Sequence, residues 1–265
     1  MWPKIGPIDT YAVMYLAGIF CHFFLTGYWR RRLWVSRFVQ VCVSVAYMVG
    51  MTFGAKLLYD VHAGQFSWGA LFRAGHYLEG GLWGGLLAYI VLAGLVVLVS
   101  ARRRGAGLDL AALSIPIPWV LAKLGCLLNG CCYGRACTWS WAITFPQGGK
   151  APAGVALHPT QLYEIAAMLA IGVVMWVLSK RSRRGTMLLW FVVLYGIARG
   201  VIDFWRGDAG RHVYVGPVTI TQLVCLGGAA DAAGLLWLVL RVRKCEQSTA
   251  TYAAHEDIIR EVQSL

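Results

Sequence analysis

The chain has 265 residues, of which 58% are hydrophobic and only 14% charged, with a formal net charge of +12. A soluble domain carries about 25% charged and about 45–50% apolar residues, and here the apolar residues come in runs rather than in alternation. That excludes a water-soluble nucleotide-binding or barrel enzyme, a secreted disulfide scaffold and a nucleic-acid module, and leaves a polytopic membrane protein. Eight cysteines are too few and too scattered for a stapled small fold.

A helix needs about 20 mostly apolar residues to cross a bilayer. Seven segments qualify, at roughly 11–29, 38–59, 80–101, 108–128, 161–179, 186–205 and 217–240. Unpaired backbone groups are costly in lipid, so helices are expected throughout. The first run has neither a basic leader nor a small-residue cleavage site and is expected to stay as a span. There is no internal repeat and no low-complexity tract. The expected fold is an all-α integral membrane protein of seven transmembrane helices over residues 1–244, followed by a polar tail over 245–265.

Basic residues orient it. Arg30, Arg31, Arg32 and Arg37 follow the first span; Arg102, Arg103 and Arg104 the third; Lys180, Arg181, Arg183 and Arg184 the fifth; Arg241, Arg243 and Lys244 the seventh. These 14 of 24 Lys and Arg residues fall on one side of a seven-span chain. The positive-inside rule then places the N-terminus outside and the C-terminus in the cytoplasm. Such runs mark topology beside anionic lipid rather than a nucleic-acid surface.

Ionisable groups within spans are costly and usually face a functional cavity. The sixth span carries Tyr195, Arg199, Asp203 and Arg206, whose spacing predicts one helical face toward its outer end. The fourth carries Lys123, Cys126, Asn129 and Gly130. The fifth opens at His158 and Pro159, with Gln161 and Glu164 in its first turns, and the third opens at Glu79, Gly80 and Gly81. Four spans thus place polar groups at one outer depth. Arg199 and Arg206 offer planar forks of donors and Lys123 a point charge, a combination suited to a phospholipid phosphate. The bland alternative is an Arg199–Asp203 ion pair that only fixes helix register. His22 and Asp231 lie outside this group and are read as packed or pore-facing.

The ordered motifs resemble the bacterial prolipoprotein diacylglyceryl transferases over nearly all seven spans. Residues 10–15, Thr-Tyr-Ala-Val-Met-Tyr, resemble that family's opening Trp-Tyr-Gly-Leu-Met-Tyr, and residues 54–59, Gly-Ala-Lys-Leu-Leu-Tyr, its Gly-(Ala/Gly)-Arg-Leu-Gly-Tyr. Residues 158–164, His-Pro-Thr-Gln-Leu-Tyr-Glu, are similar to its His-Pro-Ser-Gln-Leu-Tyr-Glu. Tyr195 to Arg199 and Asp203 to Arg206 resemble its Tyr-Gly-x-x-Arg and Glu-Phe-Phe-Arg, and residues 219–222 its Ser-x-Gly-Gln. Within residues 122–134, Lys123 stands where the family has arginine, Cys126 where it has asparagine and Cys131 where it has glutamate; Glu79 stands in place of a histidine. The chain therefore resembles a divergent branch with a Gly-Cys-Cys-Tyr-Gly variant.

The resemblance implies transfer of the diacylglyceryl group of phosphatidylglycerol to the lipobox cysteine thiol of a prolipoprotein at the bacterial inner membrane, without cofactor or metal. Taken with the reading of the residues themselves, the catalytic candidates are Glu79, in place of the family's histidine, His76, Arg199, Tyr195 and Cys131, in place of its glutamate, and Lys123, Arg199, Arg206, Asn129, Gly80 and Gly81 surround the lipid phosphate. Tyr11, His158, Gln161, Glu164, Asp203 and Gln222 support them. Partners are the phospholipid, the prolipoprotein signal peptide and the bilayer, with no nucleic acid.

Cys126, Cys131, Cys132 and Cys137 fall within twelve residues. They read as small buried residues, a loop disulfide or a reactive thiol, and their spacing is not a paired zinc pattern. Competing functions are a related transferase with another donor or acceptor, a lipid-binding or transport relative without catalysis, and a thiol–quinone oxidoreductase. The last leaves the arginines and the His158–Glu164 motif without a purpose.

Overall fold

The computed structural model describes residues 4–5, 8–62, 64, 67, 82–100, 104–182, 184–207, 214–215 and 217–263. Among these, the helices are α1 (Thr10–Leu33), α2 (Arg37–Val49), α3 (Ala55–His62), α4 (Leu82–Ser100), α5 (Arg104–Leu113), α6 (Pro116–Asn129), α7 (Thr160–Arg181), α8 (Met187–Ile202) and α9 (Ile220–Gln263). Three antiparallel pairs of two-residue strands lie between them: β1 (Lys4–Ile5) with β2 (Ile8–Asp9), β3 (Ile143–Thr144) with β4 (Ala156–Leu157), and β5 (Tyr214–Val215) with β6 (Val218–Thr219).

Six helical stretches are long and apolar enough to span a bilayer: Thr10–Leu33, Arg37–Leu58, Arg104–Asn129, Thr160–Arg181, Met187–Trp205 and Ile220–Val242. A shorter apolar stretch, Gly84–Val99, occupies the place of the expected third span. The architecture is that of an all-α integral membrane protein with small hairpins between helices. The outward faces are apolar, with Phe24 71% and Val99 86% exposed, as lipid-facing surfaces are. The interior is filled by Tyr89, Trp119 and Phe191 among small residues.

The helix ends follow local chemistry. Asp9 caps α1, its carboxylate accepting from the Tyr11 N–H at 2.8 Å, while Arg30, Arg31 and Arg32 complement the dipole of its last turn. Ser36 caps α2 through the Val39 N–H. Between α2 and α3 the chain passes through a π-helical segment, Gly50–Gly54, packed against α4. A Cβ on Gly50 would stand 2.6 Å from the Tyr89 backbone nitrogen, so only glycine permits this approach. The expected single helix over 108–128 is two helices, because Pro116 opens α6 and has no N–H to continue the ladder from α5. No backbone break marks the domain boundary drawn at Lys244, since α9 runs on to Gln263.

His22 is packed rather than pore-facing. Its ring stacks on Tyr47 at 3.9 Å, and its Nε2 lies 3.1 Å from the Tyr89 hydroxyl, which donates to the Ala111 carbonyl at 3.0 Å. Because that hydroxyl proton is committed, Nε2 carries the proton shared with Tyr89. The network joins α1, α2, α4 and α5. Asp231 lies on the exposed side of α9. Asp109, not singled out from sequence, accepts from the Gly185 and Met187 N–H groups at 2.6 and 2.9 Å and so closes the start of α8.

Gly50→Ala should cost about 1–3 kcal/mol by overpacking, read as a lower thermal unfolding midpoint in detergent. Gly94→Ala, on the same packed helix pair but with open space around a new Cβ, should leave the midpoint unchanged or raise it slightly. Equal midpoints for the two variants would contradict the close α2–α4 approach.

Candidate active site

Of the polar groups expected at one depth, those on α6, α7, α8 and the turn after it come together, with Glu164 at their centre. It sits in the second turn of α7, with Oε2 2.8 Å from Lys123 Nζ on α6 and Oε1 3.3 Å from Arg206 Nη1 beyond α8. Beside this group, Arg199 Nη1 donates to Asp203 Oδ1 at 2.7 Å, and the Thr219 hydroxyl donates to the other Asp203 oxygen. All five charged side chains are buried. Among the described residues, Lys123, Arg199 and Arg206 are three buried cations against the two buried carboxylates Glu164 and Asp203.

The expected Arg199–Asp203 pair exists, but it is one part of a larger network rather than a register lock alone. Arg206 needs correction. The helical spacing that placed it on the face of Tyr195, Arg199 and Asp203 does not hold, because α8 ends at Ile202 and a 3-10 turn, Asp203–Trp205, carries the chain on. Arg206 is extended, with φ −67° and ψ 139°, and reaches Glu164 from this turn. Tyr195 lies buried on α8, stacked on Phe191 at 5.6 Å with its edge toward Trp119 at 5.2 Å.

The wall of the site is the segment between α6 and α7. Gly130 ends α6 in the left-handed region at φ 69°. The first turn of α7 then grips the following carbonyls: Gln161 Nε2 donates to the Cys131 carbonyl at 2.8 Å and the Thr160 hydroxyl to the Cys132 carbonyl at 2.7 Å. Further on, backbone bonds join this segment to its neighbours, from Gly134 N–H to the His158 carbonyl at 2.9 Å, from Arg135 N–H to Trp205 at 2.8 Å and from Gly207 N–H to Tyr133 at 3.1 Å. A side chain at Gly134 would meet the Trp205 carbonyl at 2.7 Å.

An aromatic group flanks this wall. The Tyr163 hydroxyl accepts from the Trp141 indole N–H at 2.9 Å and lies 3.1 Å from His158 Nδ1; the Trp139 ring centre is 4.9 Å from that of His158.

The remaining candidates divide by role. Tyr11 packs where Gly125 admits it, since a Cβ there would stand 3.0 Å from its ring. Gln222 is a capping residue: its Oε1 accepts from the Thr219 N–H at 2.9 Å and its own N–H donates to Thr219 Oγ1 at 3.0 Å, a reciprocal box at the start of α9. Asn129 ends α6 half-buried, and its carbonyl accepts from Lys150 N–H at 3.3 Å. His76, Glu79, Gly80 and Gly81 lie outside the described residues. Sequence reasoning passed over Thr219, Thr160, Tyr163 and Trp141. The Thr-x-x-Gln spacing of a capping box was a readable signal for the first, whereas the Trp141–Tyr163 contact spans 22 residues and had none. A second buried pair, Lys56 with Asp60 at 3.8 Å on α3, was visible only in its i,i+4 spacing.

Cys21, Cys42, Cys126, Cys131, Cys132, Cys137 and Cys225 are free thiols. Cys126, Cys131 and Cys132 nevertheless come together, their sulfurs all within 4.8 Å of one another, and Cys137 is not part of that group.

The sequence profile of the prolipoprotein diacylglyceryl transferases matches residues 3–238. The chain is 30% identical over 244 residues to the phosphatidylglycerol–prolipoprotein diacylglyceryl transferase of Geobacter sulfurreducens, covering 83% of this chain and 87% of that protein. It is 28% identical over 275 residues to that of Desulfotalea psychrophila, covering 93% and 94%. To the phosphatidylglycerol–prolipoprotein diacylglyceryl transferase 2 of Clostridium perfringens it is 33% identical over 159 residues, which span 58% of this chain and 59% of that protein.

Replacing Glu164 with Gln leaves Lys123 and Arg206 buried beside a neutral amide. It should destabilise the protein by about 3–5 kcal/mol, read as a marked fall in the thermal midpoint in detergent. A wild-type midpoint would mean that the two cations are compensated elsewhere.

Proposed function

The chain belongs to the prolipoprotein diacylglyceryl transferase family, and on that premise we propose that it transfers the diacylglyceryl group of phosphatidylglycerol to the cysteine thiol of a prolipoprotein signal peptide. The observation that carries this reading is the buried cluster of three cations against two carboxylates, assembled from α6, α7, α8 and the turn after it. Three buried cations against the two described carboxylates suit a phosphate ester, whose charge grows as its ester bond breaks.

In the reaction, the acceptor thiol gives up its proton and the thiolate sulfur attacks the glyceryl carbon that bears the phosphate. A carbon–sulfur bond forms, the carbon–oxygen bond breaks, and glycerol phosphate departs with the electron pair. Arg199 and Arg206 bind the phosphate oxygens and Lys123 adds charge behind them. Asp203 and Glu164 hold these cations in place, so they meet the phosphate already oriented. Tyr195, one turn before Arg199 on α8, packs against Trp119 and Phe191. Glu79, which stands in place of the family's histidine, is the base for the thiol proton, with His76, three residues earlier, as the alternative. The acceptor's hydrophobic signal segment and the donor's acyl chains both reach such a site through the bilayer.

The same reading sets the topology. Counting α4 as a span gives seven, with the N-terminus outside, the basic turns in the cytoplasm and the site in the outer leaflet of a bacterial inner membrane. The close approach of Gly105, in the first turn of α5, to Gly185, in the turn after α7, supports placing the basic ends after α4 and α7 on one side.

The test is incubation of purified protein with labelled phosphatidylglycerol and a lipobox peptide. The expected products are thioether-linked peptide and free glycerol phosphate. Arg199→Lys keeps the charge but loses the fork, and should lower the rate by about 100-fold or more while the thermal midpoint stays near wild type. Lipid binding without product from folded wild-type protein would instead favour a lipid-binding relative.

A further inference from the structure

The trio of cysteines beside the cation cluster has no part in the chemistry above. Three features of the chain bring the sulfurs together. Cys126 lies in the last turn of α6, buried, and its carbonyl accepts from the Cys131 N–H at 3.0 Å across the left-handed Gly130. Cys132 itself is left-handed, at φ 61°, one of two non-glycine residues with positive φ among those described. A side chain is disfavoured there, and glycine would adopt the conformation freely. The turn therefore carries a thiol where the backbone would prefer none. The Cys131 and Cys132 carbonyls are fixed from the far side by Gln161 and Thr160, which holds both residues in this orientation.

The result is three soft donors pairwise within 4.8 Å. A cation bound by three thiolates at about 2.3 Å requires sulfurs roughly 4 Å apart, so small side-chain movements suffice. Hard oxygen-seeking cations do not select such a set, whereas thiolates favour Zn2+ or Cu+. A trithiolate complex is anionic, and Lys123 and Arg206 are both within electrostatic reach of Cys132 to offset that charge. The reading from spacing alone found no zinc pattern, because separations of five residues and one do not resemble paired Cys-x2-Cys.

We propose that Cys126, Cys131 and Cys132 form a three-thiolate site for a thiophilic cation of the Zn2+ or Cu+ class. Three protein ligands leave a further coordination position open. The ion ties the last turn of α6 to the wall of the site, where the family has asparagine and glutamate.

The experiment uses full-length protein in detergent, purified under reducing conditions, stripped with chelator and titrated with Co2+ as a spectroscopic stand-in for Zn2+. One Co2+ per chain should bind with a sulfur-to-cobalt charge-transfer band in the near ultraviolet, and Zn2+ should displace it. Cys126→Ser, Cys131→Ser and Cys132→Ser should each weaken binding by roughly 100-fold or more, whereas Cys137→Ser should leave it unchanged. Thermal midpoints of the unloaded variants separate lost ligation from lost folding. A folded, reduced wild-type protein that gives no charge-transfer band would overturn the proposal, as would a triple serine variant that binds as well as wild type. So would recovery of two of these thiols as a disulfide in protein isolated without reductant. None of these readouts depends on transferase turnover.

Discussion

Glu164 bridging Lys123 and Arg206 is the contact on which the rest of this site depends. A single ionised carboxylate in a helix bundle is unfavourable, and so are two lone cations; together they become tolerable only if the three elements that carry them keep their places. α7 supplies the acid, α6 the lysine and the turn after α8 the arginine. Each helix is therefore positioned by a charge on another. The Arg199–Asp203 pair extends the same logic to α9, because the second Asp203 oxygen is taken by Thr219, the residue that caps that helix.

This arrangement also shapes what the site can bind. Were cations and carboxylates equal in number, an incoming phosphate would have to displace an internal acid from its partner. In the proposed function, a phosphate would meet three cations against the two described carboxylates, and the internal acids would serve to aim the donors. Preorganisation of this kind is where most of the electrostatic advantage of an enzyme site resides.

Much of this was legible in the chain itself. Apolar runs separated by arginine clusters announced a multi-span membrane protein, and intramembrane Lys123, Glu164, Arg199 and Asp203 stood out because lipid tolerates few such groups. What could not be read was the pairing. Which cation meets Glu164 depends on how α6, α7 and α8 cross, and no local pattern encodes that. Arg206 illustrates the limit of periodicity: its spacing suits a helix, but the helix stops at Ile202 and the residue arrives by another route. The cysteines illustrate the opposite limit. Cys126 and Cys132 look unrelated at six residues apart, until the left-handed Gly130 and Cys132 fold the chain back on itself.

The segment between α6 and α7 is fastened to its surroundings largely by main-chain bonds, from Gly134 to His158, Arg135 to Trp205 and Gly207 to Tyr133. Main-chain groups are the same whichever residue bears them. Apart from the glycines at positions where a Cβ would collide and the anchoring side chains of Arg135, Trp141 and Phe145, the frame does not ask what side chains hang from it. At Cys131 and Cys132, which are held by their carbonyls, the side chain is thus uncoupled from the shape of the segment, so that thiols can occupy these places while the surrounding scaffold keeps its form. A wall built this way is a place where one fold can change its reactive groups without first having to be redesigned.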